Sequence, residues 1–253
     1  MMKNWTMMVC PHDTAKNPER WFVFAQYLSQ NLGNNLAQNL AQDADGVAVR
    51  FQQSLDFAEF QAGMATADLI YANPQHALQL SEKHGFIPLA RAGNLYDEAV
   101  IVTCAECDAQ LSDMQQASVA TVTSMLVTQV ALKSLARQDV APAELVPAAT
   151  WMAVVQAIYR GDARFGILYK DFYAGMSGLS RKQVKVLGET QEHSVHHCFM
   201  LAPQHAGLLD RVRQMLLGMA EDVKGGSILA ELNMDGLLAM QPAELDAIRA
   251  LKQ

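Results

Sequence analysis

Two groups of polar side chains in this chain have the types and spacing for ligand chemistry. Tyr71, Asn73 and His76 stand in the stretch Ala67-Asp68-Leu69-Ile70-Tyr71-Ala72-Asn73-Pro74-Gln75-His76-Ala77-Leu78. Leu69, Ile70 and Tyr71 are strand formers, Asn73 suits a helix N-cap, and Pro74 suits a first helical residue. A strand running into a helix N-terminus leaves unpaired N–H groups and a partial positive charge facing one spot. A small molecule, an anion above all, binds well there. Many such junctions are purely structural, and that reading stays open. The second group is Thr121-Val122-Thr123-Ser124. Consecutive hydroxyls at a helix start can donate to one oxyanion together with the free backbone N–H groups. The alternative is that Thr123 or Ser124 merely caps the helix.

Sulfur and imidazole form a further set. Cys104-Ala105-Glu106-Cys107 is a C-x-x-C, and His193, His196, His197 and Cys198 crowd a later segment. Thiolates with imidazoles suit zinc or another transition metal, and the C-x-x-C alone suits a redox pair or a small disulfide. No second C-x-x-C follows, and the spacing matches no standard zinc module. The histidines therefore read as solvated strand-edge residues and Cys198 as a small core residue, with no metal ligand and no cofactor assigned. Cys10 and His12 follow the first strand, where loop residues often face a cleft; core and surface roles are equally open for them. Asp97, Glu98, Glu189 and Glu192 are not paired into a general acid/base set. Neither a Gly-x-Ser-x-Gly elbow nor a His-Glu-x-x-His motif occurs, so the chain reads as a binding protein and not an enzyme.

The elements that must position these residues alternate. Expected strands cover Trp5–Val9, Val47–Phe51, Asp68–Ala72, Phe86–Arg91 and Ala99–Thr103. A helix over Asn17–Asn31 would bury Trp21, Phe22, Ala25, Leu28 and Leu32, and another, capped by Asp56, would run to Met64. The pattern then repeats: a strand over Ala117–Thr121, a helix over Thr123–Arg137, and a loop or short strand over Val140–Pro147. A helix over Trp151–Tyr159 and strands over Arg164–Leu168, Val184–Leu187 and Val195–Leu201 follow. Helices are expected over Ala206–Ala220, Ser227–Leu232 and Pro242–Lys252, with Gly225-Gly226 as a helix break. This βαβ order predicts largely parallel sheets covered by helices.

At 253 residues, 51% of them hydrophobic, the chain can bury one large or two smaller cores. A net charge of −7 without a basic stripe argues against nucleic acid as a partner. No apolar run reaches the roughly 18 residues that span a bilayer.

The order of features resembles the phosphate/phosphite/phosphonate substrate-binding proteins of ABC transporters. The segments that carry it are Tyr27-Leu28-Ser29-Gln30-Asn31-Leu32-Gly33, Gly63 with Ala67-Asp68-Leu69, Gly85-Phe86-Ile87-Pro88-Leu89-Ala90-Arg91 and Ala99-Val100-Ile101-Val102. Leu111-Ser112-Asp113-Met114 and Tyr159-Arg160-Gly161-Asp162-Ala163-Arg164-Phe165-Gly166 complete it. The resemblance implies an α/β, two-lobe, type II periplasmic-binding-protein-like fold with a hinge of crossing strands near residues 100–108 and 193–203. Lobe 1 would be residues 1–103 plus 199–253 and lobe 2 residues 104–198.

The resemblance also implies a monomer that closes around a phosphate- or phosphonate-like oxyanion or an acid-bearing organic molecule. Tyr71, Asn73 and His76 would form one wall and Thr121, Thr123, Ser124 and Tyr169 the other. The partner would be an ABC transporter permease. Alternatives are a sensor protein of the same fold, or a metal or redox protein using Cys104, Cys107, His196, His197 and Cys198. Tyr169 stands where the family usually has a carboxylate that holds a ligand amine, and Arg164 where an acidic residue is common. Location would be periplasmic by resemblance, although Met1-Met2-Lys3-Asn4-Trp5-Thr6 has no signal core, or cytoplasmic if that start is native.

Overall fold

The computed structural model describes residues 3–14, 17–33 and 46–251. In chain order, β1 (Lys3–Val9) leads through a short α1 (Pro11–Thr14) to α2 (Pro18–Gly33). There follow β2 (Val47–Gln52), α3 (Phe57–Gly63), β3 (Leu69–Ala72), α4 (Pro74–His84) and β4 (Ile87–Ala92). The middle of the chain holds β5 (Ala99–Cys104), β6 (Ser118–Thr121), α5 (Leu126–Ala136), β7 (Glu144–Pro147) and α6 (Trp151–Arg160). It continues with β8 (Phe165–Tyr169), α7 (Lys170–Gly175), α8 (Gly178–Arg181) and β9 (Val184–Glu189). The chain ends with β10 (Cys198–Leu201), α9 (Leu209–Leu217), α10 (Val223–Glu231), β11 (Leu237–Ala239) and α11 (Glu244–Ala250).

Contacts divide the chain into two units, Met1–Leu95 with His196–Ile248, and Tyr96–Val195 with Arg249–Gln253. The chain thus crosses at 95/96 and 195/196, and again inside α11. The expected boundaries of 103/104 and 198/199 differ because β5 pairs only with β8 and β9 of the second sheet, while His197 bonds to Asp13 in the first unit.

The first unit has a six-stranded sheet in the order β11-β4-β10-β3-β1-β2. β1 is parallel to β2 and β3, whereas β10 inserts antiparallel between β3 and β4. One face of the sheet offers Trp5, Met7, Val9, Leu69, Tyr71 and Phe199 to α2, α9 and α10. The buried stripe of α2 runs through Trp21, Phe24, Ala25, Leu28 and Leu32, and the expected Phe22 is 53% exposed. Phe24 continues the i, i+3/i+4 series from Trp21; Phe22 is about 100° off it. The β3–α4 junction forms as the residues dictate. Asn73 Oδ1 accepts the His76 N–H at 2.9 Å, and Gly85 closes the helix at φ 68°, with its N–H on the Leu80 and Ser81 carbonyls. That left-handed conformation suits glycine best.

The second unit has a five-stranded sheet in the order β7-β6-β8-β5-β9. β6 is parallel to β7 and β8, and β5 runs antiparallel to β8 and β9. Alternation along the strands separates two cores. Ala99, Ile101, Val119, Phe165 and Ile167 pack with Val127, Ala131 and Leu135 of α5. Val100, Val102, Ala120 and Leu168 pack with Val154, Val155 and Ile158 of α6. Gly166 lets α6 approach, since a Cβ there would stand 2.7 Å from Ile158 Cδ1 and 2.8 Å from Val154 Cγ1.

Several helices and strands differ from expectation. The helix expected from Thr123 begins at Leu126, and the strand expected from Val195 begins at Cys198. The helix expected over Ala206–Ala220 is α9 flanked by 3₁₀ turns, Pro203–Leu208 and Gly218–Glu221. Gly225 and Gly226 lie inside α10, whose cap is Asp222. Strand β11 was not expected at all, and Lys252 of the expected tail helix lies outside the described residues.

Candidate ligand-binding site

In the second unit the C-terminal ends of the parallel strands β6 and β8 and the start of β5 lie at one edge of the sheet, because Ala99 pairs with Tyr169. Three features gather there. The first is the turn 122–125, closed by the Met125 N–H on the Val122 carbonyl at 3.0 Å. Thr128 donates its hydroxyl to the same carbonyl at 2.9 Å. Its single hydroxyl hydrogen is then committed, so in the 2.8 Å contact between Thr121 and Thr128 the donor is Thr121. Thr121 is completely buried and its hydroxyl is spent on this brace, which removes it from direct ligand contact.

Thr123 and Ser124 are exposed in the turn, and among the described residues their hydroxyls make no hydrogen bond. Neither caps α5: the N-cap is Met125, without a side-chain hydrogen bond, in contrast to the capped starts of α4 and α6. The eleven-residue α5 therefore offers its first N–H groups and dipole, with two hydroxyl residues just ahead of them.

The second feature is Tyr169, whose ring is buried against the α5 core and whose hydroxyl lies 3.1 Å from Asp97 Oδ1 and 3.3 Å from Asp171 Oδ2. A carboxylate pair thus stands around the phenol at the position where the sequence alone suggested that acidity was lost. Asp97 was missed because it joins Tyr169 only through the β5–β8 register. The third feature is buried Glu98, which accepts the Thr190 hydroxyl and the His193 N–H. Thr190 Oγ1 in turn accepts the Ala99 N–H at 2.8 Å. His193, at φ 50°, stacks on Tyr96 with centroids 4.6 Å apart.

In the first unit the side chains of Tyr71, Asn73 and His76 go to different partners. The Tyr71 ring packs on Phe199 at 4.7 Å, Trp21 at 5.0 Å and His197 at 5.7 Å. Asn73 Nδ2 donates to Cys10 Sγ at 3.6 Å. The His76 ring is buried against Phe60 and Phe57 of α3, with Nε2 3.1 Å from Gln61 Nε2. A residue two places after the helix start turns sideways onto the neighbouring helix, so His76 serves packing. Cys10 is fully buried, and burial first, then the Asp13 charge, push its thiol up to about 12. His197 Nδ1 lies 2.8 Å from Asp13 Oδ2.

Of the options open to the C-x-x-C, the small disulfide forms. Cys104 and Cys107 form a disulfide across a four-residue turn, which leaves them no thiolate to offer a metal. Cys198 is a core thiol raised by burial. His196 lies buried, 3.9 Å from Glu244, which pairs with Arg91, and burial followed by the Arg91 charge lowers its imidazole to about 4. Among the described residues no helix is long and apolar enough to cross a membrane.

Two α/β units linked by crossing segments, one with an uncapped helix start behind a hydroxyl-bearing turn, mark the class of two-sheet solute-binding proteins. The chain belongs to the family described as ABC transporter, phosphonate, periplasmic substrate-binding protein, whose pattern it matches over residues 7–245. Among solved structures it resembles XAC2383 from Xanthomonas citri bound to ATP, at 14% identity and TM-score 0.69, over 98% of this chain and 95% of that one. It also resembles PhnD1 from Prochlorococcus marinus in complex with methylphosphonate, at 13% identity and TM-score 0.69, over 98% and 97%. The aliphatic sulphonate binding protein SsuA from Escherichia coli aligns at 10% identity and TM-score 0.62, over 99% and 91%. At these identities the likeness is one of fold. No curated protein sequence matches the chain.

Proposed function

We propose that this protein is a monomeric periplasmic receptor that binds a small tetrahedral oxyanion, a phosphonate, phosphate or sulfonate, and delivers it to an ABC transporter permease. Binding, not catalysis, is its task. The observation that carries the reading is the uncapped start of α5 with the exposed, unbonded hydroxyls of Thr123 and Ser124 ahead of it. Such a group supplies neutral donors and a positive helix end to an anion without a counter-charge. Family membership supports the same ligand class. In the second unit Thr123, Ser124 and Tyr169 are the proposed contacts; in the first, Tyr71 and Asn73. Tyr169 donates to a ligand oxygen only by releasing its hydrogen bond to Asp97 or Asp171.

Native mass spectrometry of the purified protein, followed by calorimetric titration with methylphosphonate, methanesulfonate and inorganic phosphate, tests this. The expected result is saturable one-to-one binding of at least one of the three. Failure of all three to bind ligand-stripped protein contradicts the proposal.

A further inference from the structure

The first unit contains a second cluster that anion recognition does not use. Cys10 ends the run of β1, Asp13 sits one turn later in α1, and His197 immediately precedes β10. One ligand atom from each lies within 4.8 Å of the others. Topology accounts for the meeting. The Cys10 N–H bonds the Tyr71 carbonyl at 2.8 Å, the Asp13 N–H bonds the Cys10 carbonyl at 2.9 Å, and β10 pairs with β3 so that Cys198 faces Ala72. The three ligand atoms therefore converge from a strand end, a helical turn and the entry to an inserted strand.

We propose that Cys10, Asp13 and His197 form a binding site for a divalent transition metal of the zinc class. Zinc takes thiolate, imidazole and carboxylate together, and ligand atoms around a tetrahedral ion stand roughly 3.3–3.8 Å apart. Around such an ion the widest separations in the cluster close by about an ångström, while the 2.8 Å Asp13–His197 pair opens by about half an ångström and gives up its hydrogen bond, and side-chain rotation supplies both. The thiol forms the inner side of the site and is fully buried. The carboxylate and imidazole are 21% and 10% exposed and form the side through which an ion enters. Neighbouring groups already hold the ligands: Asn73 Nδ2 reaches Cys10 Sγ at 3.6 Å, and the Trp21 indole donates to the Asp13 carbonyl at 3.2 Å. Such outer contacts orient metal ligands in established sites. Binding breaks the Cys10 S–H bond and forms a sulfur–metal bond, with that proton leaving to solvent. The proton shared between His197 Nδ1 and Asp13 Oδ2 passes through solvent to His197 Nε2, which frees Nδ1 for the metal and keeps the net release at one proton. Three protein ligands leave a fourth position open to water or another small ligand. The metal ligands themselves are not contacts of the proposed anion, although Asn73 and Tyr71 border both groups.

Co2+ is the probe, because a thiolate bonded to it gives a sulfur-to-metal charge-transfer band in the near ultraviolet. Protein freed of metal by chelator is titrated with Co2+ alone, and proton release is followed in weak buffer. The expected result is one equivalent bound with that band and about one proton released near neutral pH. Cys10→Ser abolishes the band, His197→Gln weakens Co2+ binding at least tenfold, and Cys198→Ala, which alters the other free thiol, changes neither. Absence of the band in the unaltered protein, or a band that survives Cys10→Ser, overturns the proposal. Should Cys10→Ser fail to fold, unchanged Co2+ affinity in His197→Gln overturns it equally.

Discussion

The Thr128 hydroxyl donates to the carbonyl of Val122 across 2.9 Å, from inside α5 back to the end of β6. That bond holds the Val122 carbonyl where it also accepts the Met125 N–H, and so delays the start of the helix to Leu126. Thr123 and Ser124 are left in a braced turn with their hydroxyls outward. A Thr side chain that bonds backward commonly competes with regular helix geometry; here the competition fixes the donors of the proposed anion site.

Thr128→Val should therefore lower stability by about 1–3 kcal/mol, since it leaves the buried Thr121 hydroxyl with a poorer partner, and should also weaken oxyanion binding. Thr121→Val leaves the Thr128–Val122 bond in place and should lower stability while largely preserving affinity. Urea denaturation and calorimetry on both variants check this. Equal affinity losses in the two would contradict the role given to the brace.

The pH response of the first unit should be dominated by His196. Its imidazole titrates near 6.5 when unfolded and is lowered to about 4 in the fold by burial and by Arg91, against an opposing pull from Glu244. Between those values the unfolded chain binds a proton that the folded chain refuses. Stability should fall as pH drops from about 6.5 toward 4, by a total on the order of 3 kcal/mol. The difference between denaturation curves of the unaltered protein and His196→Gln, taken across that range, isolates the effect. A difference independent of pH would contradict it.

The disulfide should contribute little. Cys104 and Cys107 are three positions apart, and closing so small a loop restricts the unfolded chain by only about 2 kcal/mol. Denaturation with and without reductant should show a shift of that size. A loss beyond about 4 kcal/mol would give the turn a larger structural part than its loop length allows.

Much of the architecture was legible because local rules and tertiary packing agree. The β3–α4 junction formed as Leu69–Ala72, the Asn73 cap, Pro74 and the closing Gly85 imply. The two-sheet α/β fold and the family followed from the order of such units. Legibility failed where a distant partner decides. The start of α5 depends on Thr128 bonding six residues back to the Val122 carbonyl. Tyr169 reads as an aromatic replacement for an acid, yet Asp97, 72 positions away, restores the charge through strand register. His197 and Asp13 meet across 184 positions, and no sequence window contains both. The C-x-x-C showed its pairing options but not which one forms, since that depends on the turn after β5.

The most direct measurement is calorimetric titration of the double variant Thr123→Ala with Ser124→Ala, using whichever of methylphosphonate, methanesulfonate or inorganic phosphate binds the unaltered protein most tightly. Hydrogen bonds to a charged acceptor contribute roughly 1.5–3 kcal/mol each, so affinity should fall by about a hundredfold or more. The hydroxyls bond to nothing in the described protein, so unfolding free energy should change by less than about 0.5 kcal/mol. Unchanged affinity in a folded double variant would contradict the assignment of the oxyanion to the start of α5.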